Sequence, residues 1–268
     1  MAAAAKKTPP TTAVVPAAGA QLPADLMEDM QQYAGMGVST DASDRVVPFV
    51  SVLQDMSPQT KKRDPSYIDG AEPGMILLTN TKKLVAGDEG ILFQPCFFHK
   101  VWVEWIPRAN GGGFVGTHIV RPADAKLVKY HGDDGRERQG WRTPDGNDLI
   151  ETRYHYGHLL NDRQEITGAA VISFSSTGHT ASRQWMELMN QHKVRGVLAP
   201  SFFRSYRLTT TLKKNAQGEW FTWSVEDGEW INNRDVREAG HSLYEAIKSG
   251  SVRAADAQAE DRVEDDGV

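Results

Sequence analysis

Residues 90–106, GILFQPCFFHKVWVEWI, are dominated by aliphatic, β-branched and aromatic side chains, a composition that favours a β-strand. In a strand, successive side chains point to opposite faces. One face is then apolar and belongs to the core: Phe97, Val101, Val103 and Trp105. The other face is half polar: Phe98, Lys100, Trp102 and Glu104. We expect Trp102, beside Lys100, to line a groove; the alternative is that it packs beneath a loop.

Short strand patterns continue on both sides of this stretch from residue 46 onward. They are GMILLTN, GFVGTHIV, TRYHYGHLL, GAAVISFSS, SFFRSYRLTTTLKK and EWFTWSVE, separated by Gly, Pro and Asn. Asn215 and Gly218 favour a hairpin between the last two. The sequence therefore predicts a mainly β fold, built as a mostly antiparallel barrel that is closed or partly closed.

Two amphipathic segments interrupt the strand patterns and predict helices near 180–193 and 233–248. The first places apolar residues on one side: Ala181, Trp185, Leu188, Met189 and His192. The second has Asn233 as its N-cap and Gly250 beyond its end. Its buried stripe is predicted to be Val236, Gly240, Leu243, Tyr244 and Ile247.

The remaining segments predict the domain organisation. Residues 1–21 are rich in Ala, Pro and Thr and are expected to form a disordered arm, followed by a short helix and linker over 22–45. Residues 46–250 are expected to form a single domain, with a mobile charged loop at 131–149. Residues 251–268 are expected to be a disordered acidic tail.

The charge of the chain is unevenly distributed. The net charge is −5, and residues 254–268 hold six acids and one base, so that the other 29 acidic and 29 basic residues balance. No acidic residue lies between Glu187 and Glu219, and this interval contains six cations: Lys193, Arg195, Arg204, Arg207, Lys213 and Lys214. Because the excess of acids is confined to the tail, the local basic field favours an anionic partner despite the negative net charge.

Membrane and secreted proteins are disfavoured by the sequence. No apolar run approaches the roughly 20 residues that cross a bilayer, and prolines interrupt the first residues where a signal peptide needs an apolar core. The lone Cys96 can form no internal disulfide, which agrees with a reducing compartment. We therefore expect a cytoplasmic protein.

Catalytic and metal sites are also disfavoured. His155 and His158 would lie on opposite faces of a strand, and no HExxH motif or Cys/His set accompanies them. Asp133 and Asp134 lack a second acidic cluster on a strand, and the three glycines at 111–113 lack the layout of a nucleotide-binding loop. We expect no enzyme, no metal site and no cofactor.

Aromatic residues and cations are interleaved in residues 200–223, PSFFRSYRLTTTLKKNAQGEWFTW, as they are around Trp102. Bases stack on aromatic faces at roughly 1–3 kcal/mol each, while Arg and Lys neutralise phosphates. The alternative is a sandwich core with a solvated basic edge. The candidate nucleic-acid-binding residues are Lys100, Trp102, Arg108, Phe114, Lys193, Arg195, Phe203, Arg204, Tyr206, Arg207, Lys213, Lys214 and Trp220.

Between about 45 and 230 the chain resembles bacteriophage single-stranded DNA-binding proteins. The resemblance is carried by VPFVSVLQDMSPQ, GAEPGMILLTNT, VWVEWIPRANGGGFVG, SSTGHTASRQWMEL and PSFFRSYRLTTTLKKNAQGEWFTW. It implies a mainly β (β-rich α+β), OB-fold-like, partly closed antiparallel barrel with one inserted helix and a C-terminal helix. It also implies a role in phage DNA replication or recombination.

The acidic tail is similar to the tails of single-stranded DNA-binding proteins, which compete with DNA and recruit replication enzymes. It departs from them by ending in EDDGV, without a terminal aromatic residue. This puts docking of a partner in doubt but leaves electrostatic competition intact.

We therefore expect non-sequence-specific binding of single-stranded DNA by base stacking and phosphate neutralisation. The expected partners are single-stranded DNA and, through the tail, replication or recombination proteins; a homo-oligomer is left open. Since stacking and neutralisation must act on one strand, most of the candidate residues should line one concave surface. The alternative is a phage virion or assembly protein whose aromatic surface contacts protein.

Overall fold

The structure is a computed structural model that describes Leu26, Asp29, Gln32 and Tyr33 and residues 46–131, 137–215 and 218–256. It divides into two units, Met1–Thr40 and Asp41–Val268. In the first unit Leu26, Asp29 and Gln32 are helical, inside the segment predicted as a short helix. The predicted disordered arm at 1–21 lies outside the described residues.

The second unit is mainly β, as predicted, and its described residues form fifteen strands and two α-helices. The strands are β1 (Val46–Val47), β2 (Phe49–Val52), β3 (Ile76–Leu78), β4 (Lys83–Val85), β5 (Ile91–Trp105), β6 (Phe114–His118), β7 (Lys126–His131), β8 (Glu137–Arg142), β9 (Asp148–Leu160), β10 (Ile166–Ser175), β11 (Lys193–Val194), β12 (Val197–Leu198), β13 (Arg204–Asn215), β14 (Gly218–Trp230) and β15 (Arg253–Ala254). The helices are α1 (His179–Gln191) and α2 (Arg234–Lys248).

Eleven of these strands form one strongly curled, half-barrel sheet. Its main path runs β14-β13-β5-β9-β10-β2-β3-β4, and β6 and β8 add to the far ends of β5 and β9. All pairings in this sheet are antiparallel except that of β10 with β2. The order β14-β13-β5-β9-β10, with α1 inserted between β10 and β13, is consistent with an OB-like fold.

Gln54 links the two ends of the curled sheet. Its side chain follows β2 and donates to the Phe221 carbonyl at 2.8 Å, while its Oε1 accepts from the Phe221 N–H at 2.9 Å. Thr210 makes a second link by donating to the Gly74 carbonyl at 2.6 Å. In the described part of the chain β2 and β14 are not paired as strands, and these side chains add to the backbone hydrogen bond from the Thr210 N–H to the Gly87 carbonyl at 2.8 Å.

Strand β5 contains a bulge at Cys96 that reverses which face its side chains take. The pairing with β9 shifts between Pro95 and Phe97. Ile91 and Phe93 therefore pack in the core beneath α1, whereas Val101 and Val103, of the same parity, pack in the core beneath α2. The predicted alternation over 97–105 is confirmed, but it does not extend to the first part of the strand.

The two helices cover opposite faces of the sheet. On α1, Trp185 is fully buried and stacks on His155 of β9, with ring centroids 4.4 Å apart. On α2, Ile247 and Leu243 pack against the core formed by Val101, Val103 and their neighbours. Asn233 caps α2 by accepting from the Asp235 N–H, as predicted.

Two segments predicted as irregular contain regular structure. Within 131–149, Glu137–Arg142 forms β8, which pairs along its whole length with Lys126–His131 of β7. Asp133 and Asp134 lie outside the described residues. At the start of the predicted tail, Arg253–Ala254 pairs in parallel with Val46–Val47.

Candidate nucleic-acid interface

Two tryptophans and one arginine stand together on the side of the sheet that α1 covers. Trp102 lies on β5 and Trp141 on β8, with ring centroids 6.3 Å apart in an edge-to-face arrangement. The guanidinium carbon of Arg121, in the β6–β7 connection, lies 3.5 Å from the Trp141 centroid and 5.5 Å from the Trp102 centroid. Both tryptophans are half-buried, while Arg121 and Lys100 are exposed. We call this set, Lys100, Trp102, Arg121 and Trp141, the tryptophan face.

A buried polar network fixes the strands that carry the tryptophan face. Glu104 accepts from Asn147 at 2.8 Å and contacts His118 Nε2 at 2.8 Å, which joins β5, β6 and the β8–β9 turn. Burial acts to raise the pKa of Glu104, but hydrogen bonds from Asn147 and His118 lower it overall. The carboxylate therefore stays ionised and holds the three segments together.

A cluster of cations lies next to the tryptophan face, beneath the first turn of α1. Lys100 and Arg153 are paired across β5 and β9, and Glu151 Oε1 lies 4.0 Å from Lys100 Nζ and 3.9 Å from Arg153 Nε. His179, the first residue of α1, donates to the Glu151 carbonyl at 3.0 Å. Burial lowers the pKa of His179; the hydrogen bond to Glu151 opposes this effect, and the charges of Arg153 and Arg183 add to it. We call this set, Lys100, Glu151, Arg153, His179 and Arg183, the α1 notch.

Three other candidates on β13 and β14, half-buried Arg207 and Trp220 and exposed Lys213, form a separate surface. Lys213 pairs directly with Trp220, and Arg207 lies on the same side of β13 because the alternating residues Tyr206 and Leu208 face the core. Arg207 is opposite Leu92, ten residues before Trp102, which is roughly 33 Å along β5. The bulge at Cys96 also puts the two groups on opposite sides of the sheet. We call Arg207, Lys213 and Trp220 the hairpin face.

The expectation of a single concave surface is therefore corrected. Lys100 and Trp102 lie together, but the structure does not bring the hairpin face to them. The reason is topological: β13 pairs only with the first residues of β5, whereas Trp102 lies near its end. Lys214, at the tip of the hairpin, forms an ion pair with Glu219.

Two candidates, Tyr206 and Arg204, are buried, so the expectation that they contact DNA is corrected. The Tyr206 ring is 1% exposed and packs on Trp185 with centroids 5.8 Å apart, so it offers no face to a base. Arg204 is 8% exposed, donates to Asp227 at 2.9 Å and lies over the Trp230 ring. Its charge is therefore compensated inside the fold by an acid that is distant in sequence and joined to it through the β13–β14 pairing.

The remaining candidates are dispersed. Phe114 packs on Trp105, on the α2 side of the sheet, away from Trp102. Phe203 is half-buried beneath the Arg237 guanidinium. Lys193 and Arg195 are exposed on the short β11–β12 hairpin after α1. Arg108 lies in a 3₁₀ turn after β5, and its side chain lies outside the described structure.

The glycines 111–113 have a conformational reason to be glycine. All three adopt positive φ angles, 102°, 68° and 131°, which L-residues with side chains rarely adopt. The turn lets the Ile106 N–H donate to the Gly113 carbonyl at 2.9 Å and so returns the chain into β6. The reversal of the chain from β5 to β6 therefore explains why these three residues are glycines.

His155 and His158 are buried on opposite sides of the sheet. His155 Nε2 is 2.9 Å from Ser182 Oγ on α1, whereas His158 Nδ1 is 2.9 Å from Gln94 Oε1. The amide nitrogen of Gln94 in turn donates to the Val236 carbonyl of α2 at 3.0 Å. Among the described residues, no group of three or more His, Cys, Asp or Glu is placed to hold a metal ion. No helix in the described part of the chain is long and apolar enough to cross a membrane.

Sequence reasoning missed Arg121 and Trp141 as members of the tryptophan face, and Arg153 as a member of the adjoining α1 notch. Trp141 fell in a segment interpreted as a loop, and Arg121 follows β6 by a few residues. Arg153 shows no local signal, because its neighbours are defined by the β5–β9 register. One signal was present: the long charged insertion between two apolar strand patterns contains Trp141 among arginines.

Comparison with known proteins gives one family. The model of the Pam3 phage gp34-like protein family matches residues 17–253. No curated protein matches, and no solved structure matches.

Proposed function

We propose that this chain, which belongs to the Pam3 phage gp34-like protein family, binds single-stranded DNA without sequence preference on the tryptophan face. The observation that carries the proposal is the Arg121 guanidinium lying between two half-buried tryptophan rings beside Lys100. Stacking on a ring requires no particular base, and a flanking cation neutralises the adjoining phosphate. The family supports a phage origin, and the OB-like fold adds an analogy of fold.

Arg121 supplies a way to exchange partners on this surface. In the unbound protein its guanidinium covers the Trp141 ring at 3.5 Å, which stabilises a cation by about 0.5–1 kcal/mol at an exposed site. A base that stacks on Trp141 takes that position, and the displaced arginine can pair with a phosphate. The exchange keeps the ring covered in both states.

The test is a titration of the protein with oligo-dT, followed by tryptophan fluorescence, at several salt concentrations. Trp102→Ala and Trp141→Ala should each weaken binding about tenfold, because a stacked base contributes roughly 1–3 kcal/mol. Arg121→Gln should reduce the slope of log affinity against log salt by about one. Trp220→Ala, on the hairpin face, is the matched comparison and should change affinity little.

If Trp220→Ala weakens binding and Trp102→Ala does not, the DNA-binding surface is the hairpin face and this assignment is wrong. If oligo-dT has no salt-sensitive effect on fluorescence, binding of single strands is excluded. An RNA oligonucleotide of equal length distinguishes DNA from RNA.

A role in phage assembly is the second candidate, and exposed apolar side chains near the same strands favour it. Ile119 and Val120 are 73% and 79% exposed after β6, and Leu127 is 47% exposed on β7. An assembly role predicts self-association that Ile119→Ser with Val120→Ser abolishes. Sedimentation of the double variant against the parent protein measures it.

The acidic tail is proposed to compete with DNA for these cations, with replication or recombination in the host cytoplasm as the setting. Residues 257–268 lie outside the described residues, whereas the Ala255 N–H donates to the Val47 carbonyl. Truncation should therefore begin after Asp256, so that β15 is kept. It should strengthen oligo-dT binding at low salt, and less so at high salt, because the Debye length shrinks. Weaker binding after truncation would contradict this.

A further inference from the structure

The α1 notch contains a buried arginine, Arg153, whose Nε has no hydrogen-bond partner. Arg153 is 9% exposed, and its Nε makes no hydrogen bond. The nearest carboxylate oxygen, on Glu151, is 3.9 Å away, which is too long for a hydrogen bond. A buried unpaired donor of this kind is costly unless a ligand satisfies it.

Arg153 lies beneath the first turn of α1. The helix is fixed over β9 at two points on either side of this residue: His179 contacts the Glu151 carbonyl and Ser182 contacts His155. The arginine between these contacts is directed towards Glu151, and therefore towards the open side where Lys100 is exposed. The Arg153 guanidinium thus lies close to the start of the helix.

The start of α1 carries no capping side chain, although its His179 N–H already donates to the Ser176 carbonyl. A 3₁₀ turn over Ser176–Gly178 leads directly into the helix, and neither segment has a side-chain cap or an acidic residue in its first turn. The helix is 13 residues long, so its dipole adds a partial positive charge at this end. Two cations, Lys100 and Arg153, lie within 4.0 Å of one carboxylate, Glu151, and the charge of Arg183 acts on His179 at the helix start.

We propose that the α1 notch binds one phosphate group, held by Arg153 and Arg183 at the start of α1. Arg153 has a fork of donors that fits phosphate oxygens, and Lys100 supplies a further charge at the open side. The link to DNA rests on the proposed function: Trp102 is paired directly with Glu151, so a strand stacked on the tryptophan face passes the notch. The bound phosphate group is then either an internal phosphodiester or the terminal phosphate of the DNA strand.

The first experiment uses inorganic phosphate and does not involve DNA. Phosphate is titrated at constant ionic strength, with chloride as the compensating anion, and the His179 ring is followed by NMR. Phosphate is expected to shift the ring resonances and to raise the pKa of His179, because an anion opposes the effects of burial, Arg153 and Arg183. An equal response to chloride alone overturns the site.

Variants locate the response. Arg183→Gln, on the exposed side of the helix, keeps the fold and should weaken phosphate binding roughly tenfold, as should Arg153→Lys, which removes the fork. Arg163→Gln is the matched control, since this exposed arginine lies in the β9–β10 turn. If Arg183→Gln and Arg153→Lys respond like Arg163→Gln, the notch does not bind phosphate.

The second experiment compares oligo-dT with and without a 5′-phosphate. A loss of affinity for both on Arg183→Gln assigns an internal phosphodiester, and a loss only for the phosphorylated strand assigns the terminal phosphate. If neither changes while the inorganic phosphate response stands, the link to DNA is overturned. If Trp102→Ala also leaves oligo-dT binding intact, the proposed function fails while the phosphate site is kept.

Discussion

His155 and His158 are neutral in the folded protein because both imidazoles are buried. Burial lowers the pKa of His155 to about 3, and the Arg153 charge adds to the effect. Burial lowers the pKa of His158 to about 4. Each ring lies between the sheet and one of the two helices, so protonating either ring places a charge in a helix–sheet contact.

These two histidines should make the fold sensitive to mild acid. Both pKa values are depressed relative to about 6.5 in an unfolded chain, so their stabilising contribution is complete above that pH and is lost as pH falls towards 4 and 3. Between pH about 7.5 and about 5.5 these two rings together should lower the free energy of unfolding by about 3 kcal/mol. Urea unfolding at the two pH values measures it.

His158→Gln should remove about half of this loss while it keeps a hydrogen-bonding group beside Gln94. His131→Gln, an exposed residue at the end of β7, is the control and should leave the loss unchanged. A pH-independent free energy of unfolding over this range would show that the rings are accessible to protons in the folded state.

At the scale of single elements, strand β5 shows how far the sequence could predict the fold. Alternation correctly placed Val101, Val103 and Trp105 in the core, because burial on one face imposes a period of two. Helix α2 was predicted nearly to the residue, because a cap and an apolar stripe are local signals. The bulge at Cys96 was not predicted, since it depends on the register with β9 and changes no local pattern.

The bulge requires a glycine opposite it on β9. Gly157 pairs with Pro95, and a Cβ on this glycine would lie 2.0 Å from the Gln94 carbonyl oxygen and 2.6 Å from the Phe93 ring. Gly157→Ala should therefore lower the free energy of unfolding by about 3 kcal/mol, as overpacking against a backbone atom does. Thermal or urea unfolding measures the difference.

Gly168→Ala, on β10, is the matched substitution for this comparison. An added Cβ at Gly168 has no heavy atom within 4 Å, so its effect should stay within about 0.5 kcal/mol. Equal effects of the two substitutions would mean that the backbone around Gln94 can relax, and that the bulge does not depend on Gly157.

At the scale of the whole molecule, the side chain of Gln54 helps to close the half-barrel. Gln54→Ala leaves the Phe221 N–H and carbonyl without these partners, and should lower the free energy of unfolding by about 1–3 kcal/mol. Hydrogen exchange of the Phe221 amide should accelerate more than that of the Thr211 amide on β13. Gln184→Ala, exposed on α1, is the control. Unchanged exchange at Phe221 would mean that the sheet ends stay together without Gln54.

The candidate site shows why the sequence could predict its composition but not its assembly. Lys100 and Trp102 are close in sequence and were predicted together. Arg153 reaches them only through the β5–β9 pairing, and Arg121 through the insertion between these strands. The cations of residues 193–214, by contrast, are near one another in sequence, but the topology separates them. Some lie on the β11–β12 hairpin and others on the β13–β14 hairpin, while Arg204 forms a buried ion pair with Asp227.

The parallel pairing of β1 with β15 brings Val46–Val47 beside Arg253–Ala254, so the chain enters and leaves the folded domain at one point. This geometry suits circular permutation: a short linker could join residue 256 to residue 46, and new ends could be opened in the exposed turn at 162–163 between β9 and β10. Such a permutant would carry any attached segment at the β9–β10 turn. It would also allow a reporter to be attached at a site remote from the tryptophan face.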